Sequence, residues 1–489
     1  MNTLFVVDRL ADWPFEIEGA QVTTARDYLT DPTYSSGIDC RVVNLCRSDR
    51  YQGRGYYVSL LADARGHRPI PEVKAVEDLH SAALLRALAR EVDELLEDVV
   101  VEDEAQEVRI DVHFGRDPLG RHPMLAQQLF TLVKVPLLRA TFGQHQRRWR
   151  LKSLKAMSAG TVAEEHRKAL EESARLYLRG SAEKRSPVAS SRGPRIAILY
   201  NPKDVQPSSN SEAIERFRTA ASTLGMHAEV IDRGSIGRLA DFDALFIRDT
   251  TNVGHYTYEF ARRAFTAGLV VIDDPDSILQ CTNKVYLHEL MTRHRVPVPK
   301  TVMVHRDNID QIVPSLGLPC VLKKPDSGFS IGVDRIEKED DVVPHVRRLL
   351  QQSELVIAQE YVPTEFDWRI GIFDRRPLYV CRYHMAPGHW QIIKHEDARS
   401  VEGEIVTMSV GEAPEAVVNT ALRAASLIGD GLYGVDLKQV NGQCLLIEVN
   451  DNPTLDAGAE DRVLGDALYR EIMGVFCRRI SERRWKAAA

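Results

Sequence analysis

The feature that most constrains the fold of this chain is a pair of short strands near its end that carries acidic residues. Residues 434–450 contain two strand-like runs joined by the turn residues NGQ at 441–443. Asp436 ends the run LYGVD, whereas Glu448 and Asn450 lie two apart in LLIEVN and therefore project from the same face of a strand. A lone carboxylate inside the apolar run at Glu448 would be costly. The spacing indicates a functional site, and the alternative is a hairpin whose acidic residues lie at its solvated edge.

Composition limits the class of protein. The 489 residues are 44% hydrophobic and 27% charged, a globular balance that suffices for roughly two to four domains. The formal net charge of -7 gives no reason to expect nucleic acid or a membrane surface as a partner. No run approaches the roughly 20 apolar residues of a membrane span, and the start lacks the pattern of a signal peptide. The seven cysteines include no CxxC pair, which favours reduced thiols and a cytoplasmic protein.

A stretch rich in serine, proline, glycine and charge at 179–194 divides the chain into two halves. In the first half, strand-like runs alternate with helix-period segments, which predicts an α/β domain over 1–145 and then a helical segment and linker over 146–193. The basic run at 143–158 could be a nucleic-acid patch, but the acidic residues that follow it favour a solvated helix face. The arginines and tyrosines at 44–57 leave a ligand site and a solvated loop equally open.

The second half begins with a β-α-β rhythm. Strand-like runs at 195–202 and 243–250 flank a helix-period segment, which predicts a Rossmann-like domain over 194–280. The sequence has neither a GxGxxG motif after the first run nor a GxxxxGKS/T loop, so a dinucleotide is not indicated. Arg248 and Asp249, at the end of the second run, either face a ligand or form a structural salt bridge.

Small residues and lysines follow a strand in the next segment. Lys284 lies in a short helix, and the run PCVLKKPDSGFSIGV at 319–333 ends a strand in lysines and opens into a loop with Gly328, Ser330 and Gly332. Small residues let backbone N–H groups approach phosphate oxygens, and a strand-borne lysine neutralises their charge. The loop by itself is a weak indication of a phosphate site.

Another strand offers features that suit a nucleotide. The strand edge QEYV at 359–362 can present backbone donors and acceptors to an adenine, with Glu360 accepting from its amino group. Arg369 and Arg382 lie on strand-like runs and can reach an anion held between them.

These motifs together carry a resemblance to a known family. Lys284, the loop KKPDSGFSIGV, QEYV, DWR and the closing GVDL…IEVNDNP occur in the order found in ATP-grasp carboxylate–amine ligases. More narrowly, residues 195–475 resemble the RimK-like group, and the first half is similar to the extra N-terminal domain of some RimK-like proteins. The resemblance implies a multidomain α/β protein with an N-terminal α/β domain, a Rossmann-like pre-ATP-grasp domain over 194–280 and an ATP-grasp domain over 281–489, whose two α+β lobes clasp ATP.

The resemblance also implies an activity. Such ligases transfer the γ-phosphate of ATP to a carboxylate, and an amine then displaces phosphate from the acylphosphate to form an amide. The expected partners are a small-molecule carboxylate and amine, such as an amino acid or peptide, and a homo-oligomer is compatible with the family. Two alternatives remain: a ligase that modifies the tail of a protein, and an ATP-binding scaffold without catalysis.

Residue roles follow from the resemblance by position. Asp436, Glu448 and Asn450 are expected to hold Mg²⁺, or Mn²⁺, because two carboxylates and an amide oxygen are hard ligands. Lys284 and one of the two adjacent lysines, Lys323 in preference to Lys324, are expected at the phosphates. The remaining expected nucleotide contacts are Ser327, Gly328, Ser330, Gln359, Glu360, Tyr361, Val362 and Asp367. The residues expected at the transferring phosphoryl group are Arg369, Arg382 and Asn452.

The chain departs from the RimK-like pattern where a substrate would bind. The region 383–404 stands in place of the Arg-rich acceptor segment of glutamate-adding members, so glutamate is not predicted as the amine. His384, His389 and His395, with Trp390, could line the site of the amine, but histidines in a loop are more often surface residues than bases or metal ligands. Asp451, after the acidic strand, is expected to be solvated.

Overall fold

The computed structural model describes residues 2–35, 40–48, 50–79, 85, 88–89, 92, 107–145, 148–179, 193–204, 207–326, 332–396 and 399–488. The chain forms two compact units, Met1–Lys184 and Arg185–Ala489. Within the part that the structure describes, no helix is both long and apolar enough to cross a bilayer.

The first unit contains a parallel sheet and an antiparallel sheet. The parallel strands, in the order β2-β1-β3-β4, are β1 Asn2–Val7, β2 Ala20–Thr24, β3 Cys40–Asn44 and β4 Arg68–Ile70. The antiparallel strands, in the order β5-β6-β7, are β5 Glu107–His113, β6 Leu137–His145 and β7 Arg148–Ala156. The helices are α1 Ala25–Thr30, α2 Arg54–Ala64, α3 Val73–Asp78, α4 Pro123–Val133 and α5 Arg167–Arg179.

Strand β7 corrects the helix predicted over 143–158. Its residues pair with β6, and the register shifts so that Thr141 opposes Ser153 while Phe142 opposes Leu151. Lys152 is the extra residue of this bulge, which resets the alternation of apolar and charged residues in the middle of the strand. Because the bulge interrupts the alternation of side chains, the sequence pattern does not reveal the strand.

The second unit begins with the predicted Rossmann-like arrangement. Its parallel strands, in the order β11-β10-β8-β9, are β8 Arg195–Leu199, β9 His227–Ile231, β10 Ala244–Ile247 and β11 Val270–Ile272. The helices of this part are α6 Ser211–Thr223, α7 Tyr256–Thr266 and α8 Pro275–Thr282. Strands β8, β10 and β11 are almost entirely buried, as expected for a parallel sheet with helices on its faces, whereas the edge strand β9 is partly exposed.

An antiparallel sheet follows, in the order β12-β15-β13-β14. Its strands are β12 Thr301–Val304, β13 Cys320–Lys323, β14 Val333–Ile336 and β15 Val356–Glu360. The helices of this lobe are α9 Lys284–Arg293, α10 Ile312–Leu316 and α11 Glu339–Leu349. Ile312 of α10 and Val342 and Val346 of α11 pack in one apolar cluster with strand residues of the sheet, which fixes these two helices to it.

The last lobe is built on a five-stranded antiparallel sheet in the order β20-β17-β16-β21-β22. Its strands are β16 Phe366–Phe373, β17 Arg376–His384, β20 Ile405–Met408, β21 Leu432–Val440 and β22 Gln443–Asn450, and a separate hairpin consists of β18 Ile393–Glu396 and β19 Arg399–Glu402. The helices are α12 Glu415–Ile428 and α13 Asp466–Ala488. Since α12 packs against β16, β21 and β22, these central strands are held in a fixed register.

Candidate active site

One face of the last sheet carries charged residues on three adjacent strands. Arg369 on β16 opposes Asp436 on β21, and Asp436 in turn opposes Glu448 on β22. Asn450 lies two residues beyond Glu448, opposite Gly434. Side chains directly opposite each other in an antiparallel pair share a face, so these four side chains meet on one surface. The strand pair predicted at 434–450 is present, and its acids face a cavity rather than a solvated edge.

Ion pairs hold the two carboxylates of this face. Arg369 donates from Nη2 to Oδ2 of Asp436 at 2.8 Å and from Nε to Oδ1, and Asn450 donates from Nδ2 to Oδ2 at 3.1 Å. Lys284 donates from Nζ to Oε1 of Glu448 at 2.7 Å. Burial raises the pKa of Asp436 from its ordinary value, and the guanidinium of Arg369 opposes that rise. Each carboxylate therefore has a cationic neighbour.

The side chains of the two adjacent lysines at the end of β13, Lys323 within the strand and Lys324 after it, have different surroundings. Lys323 is 9% exposed and donates from Nζ to Oε1 of Gln359 at 2.7 Å, whereas Lys324 lies 3.3 Å from Asp326. Burial lowers the pKa of Lys323 to about 8. Only Lys323 of the two lines a cavity described below.

A smaller cavity of about 130 Å³ collects the residues predicted to contact a nucleotide. Its polar lining consists of Lys284, Lys323, Gln359, Glu360, Tyr361, Asp367, Gln391, Asp436, Lys438 and Glu448, and Val362 and Trp390 also line it. The loop residues Ser327, Gly328 and Ser330 lie outside the described residues. Three lysines in so small a space favour an anionic ligand.

The strand edge of this cavity is tied to a neighbouring segment. Glu360 accepts a hydrogen bond from the backbone N–H of Lys300 through Oε1 at 2.7 Å, and its own N–H donates to the carbonyl of Lys300. The ring of Tyr361 lies 5.9 Å from that of Trp390, and the guanidinium of Arg335 lies 5.2 Å above Tyr361. These contacts fix the edge on which a planar base would lie.

Lys438 is a member of the site that the sequence interpretation missed. It donates from Nζ to Oδ1 of Asp367 at 2.6 Å and to Oγ1 of Thr364 at 2.7 Å. Lys438 lies two residues after Asp436 on β21 and therefore points to the same face. The same spacing rule that selected Asn450 could have selected it. The carboxylate of Asp367 is thus paired with a lysine in this structure.

A larger cavity of about 410 Å³ lies beside the smaller one. Its lining includes Arg369, Asn450 and Asn452, together with residues of the segment after β22. Asp436 and Glu448 line both cavities. The two carboxylates therefore lie where the two spaces meet.

Arg382 lies on the other face of the sheet, which corrects the prediction that it would hold an anion together with Arg369. Arg369 opposes Cys381, whereas Arg382 opposes Trp368. The guanidinium of Arg382 lies 4.7 Å above the ring of Trp368 and 4.9 Å above that of Phe366, and it lines neither cavity. Residues of even and odd number on this strand pair point in opposite directions, which separates the two arginines.

Asn452 lines the larger cavity, but its side chain is engaged in holding the chain. Asn452 donates from Nδ2 to the carbonyl of Asp249 at 2.6 Å and to Oγ of Ser208 at 2.7 Å, and it accepts from Nη1 of Arg248 at 2.7 Å. Arg248 is fully buried and also donates to the carbonyl of Pro453. Arg248 forms hydrogen bonds with neutral groups, and among the described residues it neither lines the two cavities nor forms a salt bridge.

Asp451 is buried, with 6% of its surface exposed, which corrects the prediction that it is solvated. The turn after β22 is held against the end of β10 by Arg248, and this contact carries Asp451 inward. A sequence pattern does not show such a contact between residues about two hundred positions apart.

The histidines of the loop after β17 do not form a metal centre. His384 lines the larger cavity, and His389 lies 3.2 Å from Oε1 of Gln391. The side chain of His395 lies outside the described residues. Among the residues that the structure describes, no three His, Cys, Asp or Glu side chains are grouped so as to hold a metal ion. Asp436, Glu448 and Asn450, which lie together on one face of the sheet, stay the predicted cation-binding set.

Two family models match separate parts of the chain. Residues 25–173 match the RimK-like ATPgrasp N-terminal domain, and residues 290–457 match the D-ala D-ala ligase C-terminus. A probable alpha-L-glutamate ligase of Vibrio vulnificus is 23% identical over 281 residues, which cover 54% of this chain and 89% of the relative. A protein of the same description from Stutzerimonas stutzeri is 26% identical over 227 residues, covering 46% and 72%. The solved D-alanine–D-alanine ligase of Bacillus anthracis has 15% identity and a TM-score of 0.45, covering 59% of this chain and 99% of that chain.

Proposed function

Because the chain is an ATP-grasp carboxylate–amine ligase with a RimK-like N-terminal domain, we propose that ATP binds in the smaller cavity and that the carboxylate and the amine bind in the larger one. The observation that carries this assignment is that the two cavities share Asp436 and Glu448. A phosphoryl group transferred from one space to the other must pass these two residues.

The lining of the smaller cavity offers partners for both the phosphates and the base of a nucleoside triphosphate. Lys284, Lys323 and Lys438 supply positive charge for phosphate oxygens, and Glu360 with the backbone of Val362 supplies the hydrogen-bonding edge for adenine. Lys323 is buried with a lowered pKa, so it is the lysine that gains most from an anionic partner. The carboxylate of Asp367 pairs with Lys438 but has lone pairs left to accept further hydrogen bonds. We assign the ribose hydroxyls as donors to these remaining lone pairs.

The junction between the cavities fits a divalent cation. Asp436, Glu448 and Asn450 offer two carboxylates and one amide oxygen on one face, which are the hard donors that Mg²⁺ or Mn²⁺ prefers. The cation, when bound, would neutralise phosphate charge and polarise the transferring phosphoryl group. Its binding would compete with Arg369 and Lys284 for the carboxylate oxygens, which frees these two cations for phosphate oxygens.

The proposed reaction has two steps. A carboxylate oxygen of the acid attacks the γ-phosphorus of ATP, the bond to the β-phosphate oxygen breaks, and an acylphosphate and ADP result. The neutral amine nitrogen then attacks the acyl carbon, the bond to the phosphate oxygen breaks, and the nitrogen loses a proton as inorganic phosphate leaves. Arg369 lines the larger cavity at the junction, so we assign it the stabilisation of the anionic acylphosphate.

We assign amino-acid-like substrates to the larger cavity. The relatives named above are described as alpha-L-glutamate ligases and as a D-alanine–D-alanine ligase. The volume of about 410 Å³ suits two small substrates side by side. All seven cysteines are unpaired and six are buried, which supports work in a reducing compartment such as the cytoplasm.

The test is ADP release from Mg-ATP by the full chain in pools of amino acids, dicarboxylic acids and short peptides, with hydroxylamine as a trap. We expect ADP release that depends on an acid, with a hydroxamate of that acid among the products. ADP release without a hydroxamate would mark the protein as an ATPase and contradict the proposal. Glu448→Gln serves as the variant that abolishes the signal, and Glu415→Gln, an exposed acid of α12, serves as its control.

A further inference from the structure

The larger cavity has an unbalanced charge. Arg369 is the only arginine in its described lining, and no lysine is part of that lining. Arg369 is already bound through two nitrogens to Asp436. Seven acidic residues line the same cavity: Asp326, Glu402, Asp436, Glu448, Asp451, Asp456 and Glu460. Lys324, Arg369 and Lys284 pair with Asp326, Asp436 and Glu448, and the remaining four acids give the lining an excess of negative charge.

Three of these acids, Asp451, Asp456 and Glu460, come from the segment after β22, and the last two accept hydrogen bonds from neutral donors. Glu460 is 1% exposed, and it accepts from the hydroxyl of Tyr383 at 2.6 Å and from the backbone N–H of Asp456 at 2.8 Å. Asp456 accepts from the backbone N–H of Asn210 through Oδ1 at 2.6 Å. Neither carboxylate forms an ion pair with any lysine or arginine that the structure describes. Burial raises the pKa of both, and the buried guanidinium of Arg248 opposes that rise for Asp456.

Asp451 provides an independent indication of a missing partner. It is more than nine-tenths buried and lines the larger cavity, and its Oδ2 has no hydrogen-bond partner within the described ranges. A buried carboxylate oxygen without a donor costs free energy that a hydrogen bond from a ligand would recover. Asp451 is therefore an acid of this lining with one oxygen that lacks a donor.

We propose that the amine substrate of the larger cavity carries a second, non-reacting cationic group, as a diamine or a basic amino acid does, and that Asp451, Asp456 and Glu460 receive that group. The inference rests on the proposed function, because it places the amine in this cavity. The reacting nitrogen is neutral when it attacks the acyl carbon, while the second ammonium or guanidinium group keeps its proton and stays with the acids. An acidic amino acid would bring a second carboxylate into a cavity whose one arginine is already paired.

The first experiment compares matched ligands by calorimetry on the full chain with Mg²⁺ and a non-hydrolysable ATP analogue. L-lysine and L-norleucine have the same carbon skeleton and differ by the ammonium group, and L-glutamate tests the opposite charge; ornithine, arginine and putrescine widen the cationic set. We expect at least one cationic ligand to bind at least tenfold more tightly than norleucine and glutamate. Equal or tighter binding of glutamate or norleucine, or no binding of any cationic ligand, would overturn the inference.

Variants locate the binding group. Asp456→Asn keeps the oxygen that accepts from Asn210 while removing the charge, and Asp451→Asn does the same for the unpartnered acid. We expect each variant to weaken the cationic ligand at least fivefold and to leave norleucine unchanged, since only the charge is lost. Glu415→Gln, an exposed acid of α12, should change neither. Unchanged affinity of the cationic ligand in both cavity variants would overturn the assignment.

The two proposals fail in different ways. If the nucleotide analogue binds and hydroxylamine traps an acylphosphate, but glutamate is the preferred amine, the ligase assignment stands and the cationic amine does not. If the analogue does not bind and no ADP is released with any acid, the proposed function itself fails.

Discussion

The two cavities of the second unit differ in the sign of the charge that lines them. The smaller cavity has three lysines, Lys284, Lys323 and Lys438, in its described lining, whereas the larger one has a single, already paired arginine and a series of acids. Both spaces share Asp436 and Glu448. Under the two proposals above, this difference in charge would attract an anionic nucleotide to one side of the shared carboxylates and a cationic amine to the other.

The largest effect is expected at the shared carboxylates. We expect Glu448→Gln to lower acid-dependent ADP release at least a hundredfold, because the variant removes one of two charges at the junction where the phosphoryl group moves. Steady-state assays of ADP release measure the loss, and calorimetry with a nucleotide analogue shows whether folding and binding survive. A variant with more than a tenth of the parent activity would remove the junction from the mechanism.

The neighbouring lysines Lys323 and Lys324 test whether the nucleotide binds in the smaller cavity. We expect Lys323→Met to weaken nucleotide binding about tenfold or more, since a buried cation next to the cavity is lost. Lys324→Met is the matched control, because Lys324 lies near Asp326 and lines neither cavity, and it should change the affinity less than twofold. Equal effects of the two substitutions would show that the cavity does not distinguish them.

The lowered pKa of Lys323 predicts a pH dependence. Burial lowers the pKa to about 8 in this structure, and phosphate oxygens favour the charged form, so nucleotide binding takes up a proton above that pH. The affinity should fall as the pH rises from 7 to 9, by up to about tenfold for each unit above the pKa. Calorimetry in buffers of different ionisation enthalpy counts the protons, and Lys323→Met should flatten the profile. A profile unchanged in the variant would assign the proton to another group.

The smallest effect is expected on the opposite face of the sheet. We expect Arg382→Gln to leave acid-dependent ADP release within about twofold, because its guanidinium packs on Phe366 and Trp368 and lines neither cavity. The loss of that packing should lower the Tm by a few degrees, which differential scanning calorimetry measures. A large loss of activity at unchanged Tm would contradict the separation of the two faces.

Sequence patterns predicted the parts of the site that depend on one strand. The spacing of Glu448 and Asn450, and the choice of Lys323 over Lys324, follow from the alternation of side chains along a single strand. The face on which Arg382 lies depends instead on the register between β16 and β17, which includes a shift between Gly371 and Ile372. A sequence does not state that register.

Other features depend on contacts between distant segments. The burial of Asp451 follows from the contacts that its neighbours Asn452 and Pro453 make with Arg248. The bulge at Lys152 interrupts the alternation of apolar and charged residues in β7, so the sequence pattern does not indicate a strand there. Lys438 is different, because the same rule of two that selected Asn450 applies to it. The sequence interpretation missed Lys438 because it belongs to none of the motifs on which the family resemblance rests.

The buried Arg248 joins the end of β10 to the turn after the acidic strand, and this has a consequence for protein engineering. Its hydrogen bonds reach Ser208 and Ser209 on one side and Asn452 and Pro453 on the other. If the parallel-sheet segment alone were moved into a related protein, the guanidinium of Arg248 would face that protein's own turn. Its hydrogen bonds to Asn452 and Pro453 would be lost, which would leave a buried charge unsatisfied. The parallel-sheet segment and the turn after the acidic strand therefore depend on each other, and a chimaera should exchange both together.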